Sequence, residues 1–183
     1  MDISYERFTP DSEPSLQISE LAEGFALAQI PEDISDRSKH VLRFKEGIVN
    51  EILNNDTFIA KHNGEIIGML RFIRLPIKHN GKPTFEIGRG FVKAEFREKK
   101  IYSKLKQNAL KTFAEDNPDS FIVSNTKNGH LIDSLQRSGW TEYDYRHYLT
   151  LHNFPQEEGQ VCESHGYRTF IISTEQILSS ETT

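Results

Sequence analysis

An Asn-Gly pair, Asn63-Gly64, separates two segments rich in β-branched and aromatic residues, Thr57 to His62 and Glu65 to Leu75. Asn-Gly is the strongest two-residue signal for a type I′ β-hairpin. A second pair, Asn80-Gly81, precedes a third β-rich segment, Thr84 to Val92. The chain is therefore expected to contain three consecutive antiparallel strands.

Helices are predicted on both sides of these strands by apolar residues at helical spacing. The residues from Ile18 to Ala26 place their apolar side chains on one stripe, and the stretch from Asp36 to Leu53 repeats the pattern. After the strands, the segment from Glu98 to Glu115 carries apolar residues every four positions. All three segments are expected to be amphipathic helices.

The C-terminal part of the chain favours further strands, with a short helix that ends at Gly139. The strands are expected at Phe121 to Ser124, Trp140 to Leu151 and Tyr167 to Ser173. A polar loop at residues 153 to 166 and a weakly patterned tail follow the second and third of them.

This order of elements predicts a single domain over residues 1–183, of the α/β (α+β) class. Its centre is expected to be a mixed, mostly antiparallel sheet of about six to seven strands, with helices on both faces. Alternation along the third strand predicts that Phe85 and Phe91 share one face. Gly88 and Gly90, in the same strand, mark possible bulges.

Composition argues against several kinds of protein. No apolar run reaches the roughly 20 residues that a membrane-spanning helix needs, and the N-terminus lacks a signal-peptide pattern. Cys162 is the only cysteine, which excludes an internal disulfide, and with His165 it matches no thiol-enzyme pattern. The seven histidines show no metal-ligand spacing. We expect a cytoplasmic protein without a membrane segment or a metal site.

A basic segment interrupts this acidic chain. The net charge is -5, but Lys93 to Lys111 contains seven cations against Glu95 and Glu98, which gives a local charge of 7 − 2 = +5. No base-stacking aromatic set accompanies these cations, so nucleic-acid binding is not expected. The cations surround the predicted start of a helix, whose first backbone N–H groups lack internal partners and favour phosphate.

The string from Val92 to Leu105 resembles the pyrophosphate-binding motif of the GNAT superfamily of acyl-CoA-dependent N-acyltransferases. That motif reads Arg/Gln-x-x-Gly-x-Gly/Ala after a central strand, and Arg97 falls on its first position. Glu95-Phe96 matches the acidic-aromatic pair that usually precedes it, whereas Lys100 and Tyr102 replace the two glycines. Without glycine, these two residues are expected to keep ordinary helical angles and to point their side chains away.

A second GNAT signature, Asn-x-x-Ala-x-x-Leu-Tyr-x-Lys-x-Gly-Phe, is matched further along the chain. Asn128 and Arg137 fall on its Asn and Lys positions, and Gly139 and Trp140 fall on its Gly and Phe positions. Leu135 stands where the family usually has the Tyr that protonates the departing thiolate, and leucine cannot donate a proton.

The resemblance implies acetyl-CoA or another acyl-CoA as the cofactor, with its pyrophosphate at the turn before the third helix. It also implies that a backbone N–H near the end of the central strand polarises the thioester carbonyl. The cofactor-binding residues implied in this way are Phe91, Val92, Arg97, Glu98, Lys99, Lys100, Ile101, Tyr102, Ser103 and Asn128.

Acyl transfer to an amine also needs a group that collects the amine's proton, since an alkyl amine has a pKa of roughly 10.4. Glu86 is the candidate, because it projects from the central strand opposite Phe85. Tyr145 is the candidate that protonates the thiolate, with Tyr143 and Tyr102 as alternatives. The predicted catalytic residues are therefore Glu86 and Tyr145.

These features leave functions of different classes open. The first is an N-acetyltransferase or related acyltransferase, passing an acyl group from acyl-CoA to a small-molecule or peptide amine by direct attack in a ternary complex. The second is a GNAT-fold module that binds CoA or regulates without turnover, as the missing glycines and Leu135 suggest. An enzyme similar to acyl-homoserine-lactone synthases is a third. The acceptor stays open, and exposed strand edges make a homodimer reasonable.

Overall fold

The computed structural model describes residues 2–9, 16–153 and 166–180, except for the side chains of Glu98, Lys99 and Tyr145. Most of the loop expected at residues 153 to 166, with Cys162 and His165, lies outside the described residues. The strands are β1 (Ile3–Arg7), β2 (Asp56–His62), β3 (Glu65–Arg74), β4 (Thr84–Val92), β5 (Phe121–Thr126), β6 (Thr141–Tyr143) and β7 (Arg168–Ser173). The helices are α1 (Leu16–Gln29), α2 (Arg37–Asn54), α3 (Ile101–Asp116), α4 (Gly129–Arg137), α5 (Tyr145–His152) and α6 (Thr174–Ser180), with a 3-10 turn at Ala94–Lys99.

In the described part of the chain the strands form one seven-stranded sheet in the order β1-β2-β3-β4-β5-β7-β6. β4 and β5 are parallel, whereas β2 is antiparallel to β1, and β7 is antiparallel to both β5 and β6. The expected mixed, mostly antiparallel sheet with helices is confirmed.

Both Asn-Gly pairs form the turns that the sequence predicts. Asn63 and Gly64, between β2 and β3, have φ values of 51° and 81°. Asn80 and Gly81, between β3 and β4, have values of 50° and 77°. Positive φ at both central residues is what a type I′ turn requires. The local sequence therefore determines the connections of β2, β3 and β4.

Two compact units contribute to the sheet, the first from Met1–Arg71 with Arg89–Ala109 and the second from Phe72–Gly88 with Leu110–Thr183. In the first unit, the predicted stripe of α1 packs on α2 and on apolar residues of β2, β3 and β4. In the second unit, Phe72 stacks on Phe113 of α3 at 4.0 Å, and Phe85 meets the same ring edge-on at 4.8 Å. Aromatic contacts of this kind hold β3, β4 and α3 together.

A bulge in β4 changes which faces its side chains occupy. Arg89 has a φ of 52°, a left-handed value that is uncommon outside glycine. Before the bulge Phe85 packs on α3, whereas after it the α-carbon of Gly90 lies under Tyr102 of α3 and Phe91 packs on Phe25 of α1. The prediction that Phe85 and Phe91 share a face is therefore wrong, because one extra residue reverses the alternation.

Two other expectations are corrected, and two further elements, β1 and α6, had not been predicted. The segment from Trp140 to Leu151 is not one strand, because β6 ends at Tyr143 and the remainder is helix α5. α3 begins at Ile101 and not at Glu98, because a 3-10 turn precedes it. The weakly patterned tail contains α6.

Candidate active site

The turn between β4 and α3 has the geometry of an anion-binding nest. The 3-10 turn ends at Lys99, and Lys100 follows with φ 56° and ψ 18°, which is left-handed. A right-handed residue followed by a left-handed one points successive backbone N–H groups into one concavity. The expectation that Lys100 keeps ordinary helical angles is therefore wrong: Lys100, at the first glycine position of the motif it resembles, adopts a positive φ of the kind that glycine allows.

This conformation gives a prediction about stability. We expect Lys100→Gly to stabilise the fold by up to about 1 kcal/mol, because a left-handed residue with a Cβ costs roughly 1–2 kcal/mol and glycine loses some of that gain to its greater unfolded-state entropy. Lys104→Gly, one turn into α3, should instead destabilise by about 1 kcal/mol. Urea unfolding of both variants measures the two changes. Loss of stability in Lys100→Gly would contradict the left-handed assignment.

Arg97 connects this turn to the end of β4. Its Nε donates a hydrogen bond of 3.0 Å to the carbonyl of Val92, and its guanidinium lies 5.6 Å from the ring centroid of Phe91. The backbone N–H of Lys104 then donates to the carbonyl of Lys100 at 3.2 Å, which begins the helical hydrogen bonding of α3. Arg97 is exposed, so the rest of its guanidinium can reach a ligand at the turn.

The basic segment offers fewer available charges than its composition suggests. Lys93 forms an ion pair with Glu65 at 2.5 Å. Burial lowers the pKa of Lys106 to about 8, and this half-buried side chain is less accessible to an external anion than the exposed cations are. Arg97, Lys100 and Lys104 are exposed and lie at the turn and the first turn of α3.

Tyr102 takes a position that none of the sequence patterns predicts. A Cβ built on Gly90 would lie 2.3 Å from Cε2 and 2.7 Å from the hydroxyl oxygen of Tyr102, so the ring covers this glycine closely. Burial raises the pKa of the Tyr102 hydroxyl, which stays protonated. Ile101, beside it, is buried and can present only its backbone N–H to a ligand.

The contact predicts a specific coupling between the two residues. We expect Gly90→Ala to destabilise the fold by about 2 kcal/mol, since the new methyl group would overlap the Tyr102 ring. In a Tyr102→Ala background the same change should cost little, because the overlapping atoms are gone. Gly88→Ala is the matched control, because a Cβ there meets only Glu86 Cδ, at 4.0 Å. Denaturant unfolding of this double-mutant cycle measures the coupling, and additive effects would contradict it.

Glu86 is the centre of a polar cluster in the second unit. Tyr148 Oη donates a hydrogen bond of 2.8 Å to its Oε1, and His152 Nε2 lies 3.3 Å from its Oε2. The Glu86 side chain is 17% exposed, so it is held and still reachable from solvent. Glu86 is also the last residue of β4 that pairs with β5, where it lies opposite Val123. Glu86 therefore lies where β4 separates from its parallel neighbour.

Comparison with known proteins decides the family. The family model of the GNAT acetyltransferases matches residues 24–140, which is more than half of the chain. This chain belongs to the GNAT acetyltransferase family. Comparison with curated protein sequences gives no match.

Solved GNAT structures share the fold at low sequence identity. The PaiA N-acetyltransferase of Thermoplasma acidophilum, in complex with coenzyme A, is 16% identical with a TM-score of 0.60, over 94% of this chain and 99% of the other. A GNAT acetyltransferase of Staphylococcus aureus Mu50 is 16% identical with a TM-score of 0.52, over 93% and 98%. The NatC complex bound to Gag peptide and CoA is 18% identical with a TM-score of 0.55, over 94% and 99%.

Other predicted residues of this GNAT protein have structural roles. Asn128 caps α4, where its Oδ1 accepts a hydrogen bond of 3.3 Å from the N–H of Leu131. Leu135 is fully buried in the core. Tyr143 forms a hydrogen bond of 3.1 Å with His79 Nδ1 and not with Glu86. The side chain of Tyr145 lies outside the described part, so its predicted role stays a prediction.

Sequence reasoning missed Tyr148 and His152, the two partners of Glu86. Both lie on α5, one turn apart, with ring centroids 4.6 Å apart. The signal that could have found them is Asp144, an N-cap residue whose Oδ1 accepts from the N–H of Arg146 at 2.8 Å. A cap followed by aromatic and apolar residues at helical spacing indicates a helix, which would have placed these two side chains on one face.

Two kinds of site are absent from the described residues of this GNAT protein. None of its described helices has both the length and the apolar character that crossing a membrane requires. Within the same residues, no group of three or more His, Cys, Asp or Glu side chains is placed to hold a metal ion.

Proposed function

We propose that this GNAT protein is an N-acetyltransferase that moves an acetyl group from acetyl-CoA to a primary amine by direct attack in a ternary complex. The observation that carries the proposal is the nest at Lys100, which stands at the family's pyrophosphate position and opens onto the start of α3. Backbone N–H groups, the helix dipole and the exposed Arg97, Lys100 and Lys104 all favour a pyrophosphate there. The residues present therefore fit the cofactor.

The proposed cofactor contacts are the ones that the resemblance to the GNAT motif implies. The N–H groups of the turn from Lys99 to Ser103 hold the pyrophosphate, with Arg97 contributing charge. Acetyl-CoA supplies the acyl group as a thioester. A backbone N–H of Phe91 or Val92, beyond the bulge of β4, donates to the thioester carbonyl oxygen and polarises it. Asn128 contributes indirectly, because it fixes the start of α4.

Glu86 is the proposed general base. An alkyl amine is protonated at neutral pH, with a pKa of roughly 10.4, so a base must remove a proton before attack. The hydrogen bond from Tyr148 orients the Glu86 carboxylate, and His152 lies at its second oxygen. The neutral amine nitrogen then forms the new amide bond as the carbon-sulfur bond breaks, and the second proton that the nitrogen loses restores the one given to the thiolate. We keep Tyr145 as the proposed group that returns a proton to the thiolate.

The alternative is a CoA-binding module without turnover. Two observations favour it: Tyr102 covers Gly90 of β4, and a buried Leu135 replaces the usual acid. Such a module would still bind CoA at the nest but would not catalyse acyl transfer.

Two measurements on the wild-type protein separate these functions. Calorimetric titration with acetyl-CoA tests the nest, and a thiol-release assay over a panel of amines tests turnover. Binding with thiol release that depends on the amine supports the enzyme. Binding without release on every amine supports the module, and no binding at millimolar acetyl-CoA contradicts both.

A further inference from the structure

A pocket of about 450 Å³ in the first unit lies beside the bulge of β4. It is lined by the connection from α1 to α2, by one face of α2 and by Arg89. Ile34, Phe44 and Ile48 provide apolar walls, and Ile34 is 43% exposed. Pockets of roughly 300–1,000 Å³ hold small organic ligands. The pocket thus fits a small molecule with an apolar part.

The guanidinium of Arg89 lies at the wall of this pocket. Its guanidinium carbon lies 5.3 Å from the ring centroid of Phe44 and 6.0 Å from that of Phe25. These two rings stack at 6.0 Å with an interplanar angle of 6°. Stacking on aromatic faces fixes a guanidinium and leaves its donors available. With its side chain 38% exposed, Arg89 can contact a ligand.

Glu51, the carboxylate in the pocket lining, already forms an ion pair within the protein. Arg71, whose side chain is only 2% exposed, forms an ion pair with it. A buried guanidinium needs a counter-charge, so Glu51 must stay paired with Arg71. Arg89 Nε lies 3.8 Å from the same carboxylate oxygen, at the far limit of an ion pair. A ligand ammonium would therefore have to compete with two arginines for Glu51.

Arg43 adds a further cation to the lining. It is exposed on α2, and within the described residues no carboxylate forms an ion pair with it. Among the residues that line the pocket, Arg43 and Arg89 against Glu51 give a net charge of 2 − 1 = +1, and the buried Arg71 already neutralises Glu51. An anionic group on the ligand would offset this excess.

We infer that this pocket selects an acceptor amine that carries a carboxylate on an apolar body, that is, a free amino acid with an apolar side chain. The inference rests on the proposed acetyl transfer. The planar donor sets of Arg43 and Arg89 match a carboxylate, and Ile34, Phe44 and Ile48 contact the apolar side chain. Arg89 follows Glu86 by three residues on β4. Arg89, which would bind the carboxylate, and Glu86, the proposed base, are thus on one strand.

The test compares L-leucine with L-leucinamide, which keeps the amine and side chain without the carboxylate, and with O-phosphoethanolamine. We expect the wild type to bind leucine at least about 10-fold more tightly than leucinamide, because a charge-assisted contact is lost. Arg43→Gln should reduce that ratio to about 2-fold or less. Lys39→Gln removes an exposed charge from α2 outside the pocket lining and should leave the ratio unchanged.

Calorimetry without cofactor keeps this test independent of turnover. Equal binding of leucine and leucinamide, or an unchanged ratio in Arg43→Gln, would overturn the inference. Tighter binding of O-phosphoethanolamine than of leucine would also overturn it, because the anion recognised would be a phosphate without an apolar body. Acetyl-CoA binding is titrated in parallel. If acetyl-CoA binds and the amines are not distinguished, only the inference fails; if acetyl-CoA does not bind, the proposed function fails.

Discussion

Replacing Glu86 by glutamine is expected to lower kcat by about 100-fold or more, because a general base typically contributes at least that factor. The amide has the same shape and can still accept the hydrogen bond from Tyr148, so the fold and the cluster should persist. It cannot accept a proton from the ammonium group of the acceptor. Thiol release at saturating acetyl-CoA and amine measures the loss.

The controls for Glu86 separate chemistry from binding. The acetyl-CoA dissociation constant of Glu86→Gln should stay within about twofold of wild type, since the proposed pyrophosphate contacts lie on the turn after β4. Tyr148→Phe removes the hydroxyl that orients the carboxylate and should give a smaller decrease in kcat. If Glu86→Gln kept full activity, another group would have to collect the proton, and the role proposed for Glu86 would be wrong.

Reversing the charge at Arg97 is expected to abolish stabilisation by acetyl-CoA. At about 100 times its dissociation constant, a ligand that binds only the folded state adds roughly 2.7 kcal/mol. For a chain of this length that corresponds to a rise in Tm of about 5–10 °C. In Arg97→Glu a carboxylate would face the pyrophosphate at the nest, so repulsion replaces a charge-assisted contact. Thermal unfolding with and without acetyl-CoA measures the difference.

Two further variants make the Arg97 result interpretable. Arg97→Ala removes the hydrogen bond to the Val92 carbonyl without adding a negative charge. The change in Tm that it causes therefore measures the effect of losing the Arg97 side chain, separately from charge repulsion. Lys39→Glu reverses an exposed charge on α2, far along the chain from the turn, and should leave the acetyl-CoA response intact. A full Tm rise in Arg97→Glu would show that the pyrophosphate does not bind where the motif places it.

The sequence alone was sufficient for the elements whose signals are local. Asn63-Gly64 and Asn80-Gly81 require positive φ at adjacent residues, so they determine where β2, β3 and β4 connect. The apolar stripes of α1 and α2 are wide enough to predict both helices to within a few residues. The motif matches at Arg97 and at Asn128 to Trp140 are also local signals, and together they indicate the family.

Tertiary structure decided the features that depend on contacts between distant residues. The left-handed conformation of Lys100 contradicts the preference of lysine, so no propensity predicts it, and the surrounding fold must impose it. Beyond the bulge at Arg89, the side chains of β4 point to the opposite faces from those that strict alternation predicts. A sequence pattern of period two cannot show this reversal. The helix α5 was hidden because aromatic residues in Trp140 to Leu151 suit a strand as well as a helix.

The Glu86 cluster illustrates both what the sequence predicts and what only the tertiary structure determines. Sequence alone makes Glu86 the candidate general base, because alternation before the bulge places it opposite Phe85. Sequence did not identify its partners, because Tyr148 and His152 are more than sixty residues away and reach it only when α5 packs in the second unit. A carboxylate can be predicted from its own strand, whereas the hydrogen bonds that orient it depend on how separate elements pack.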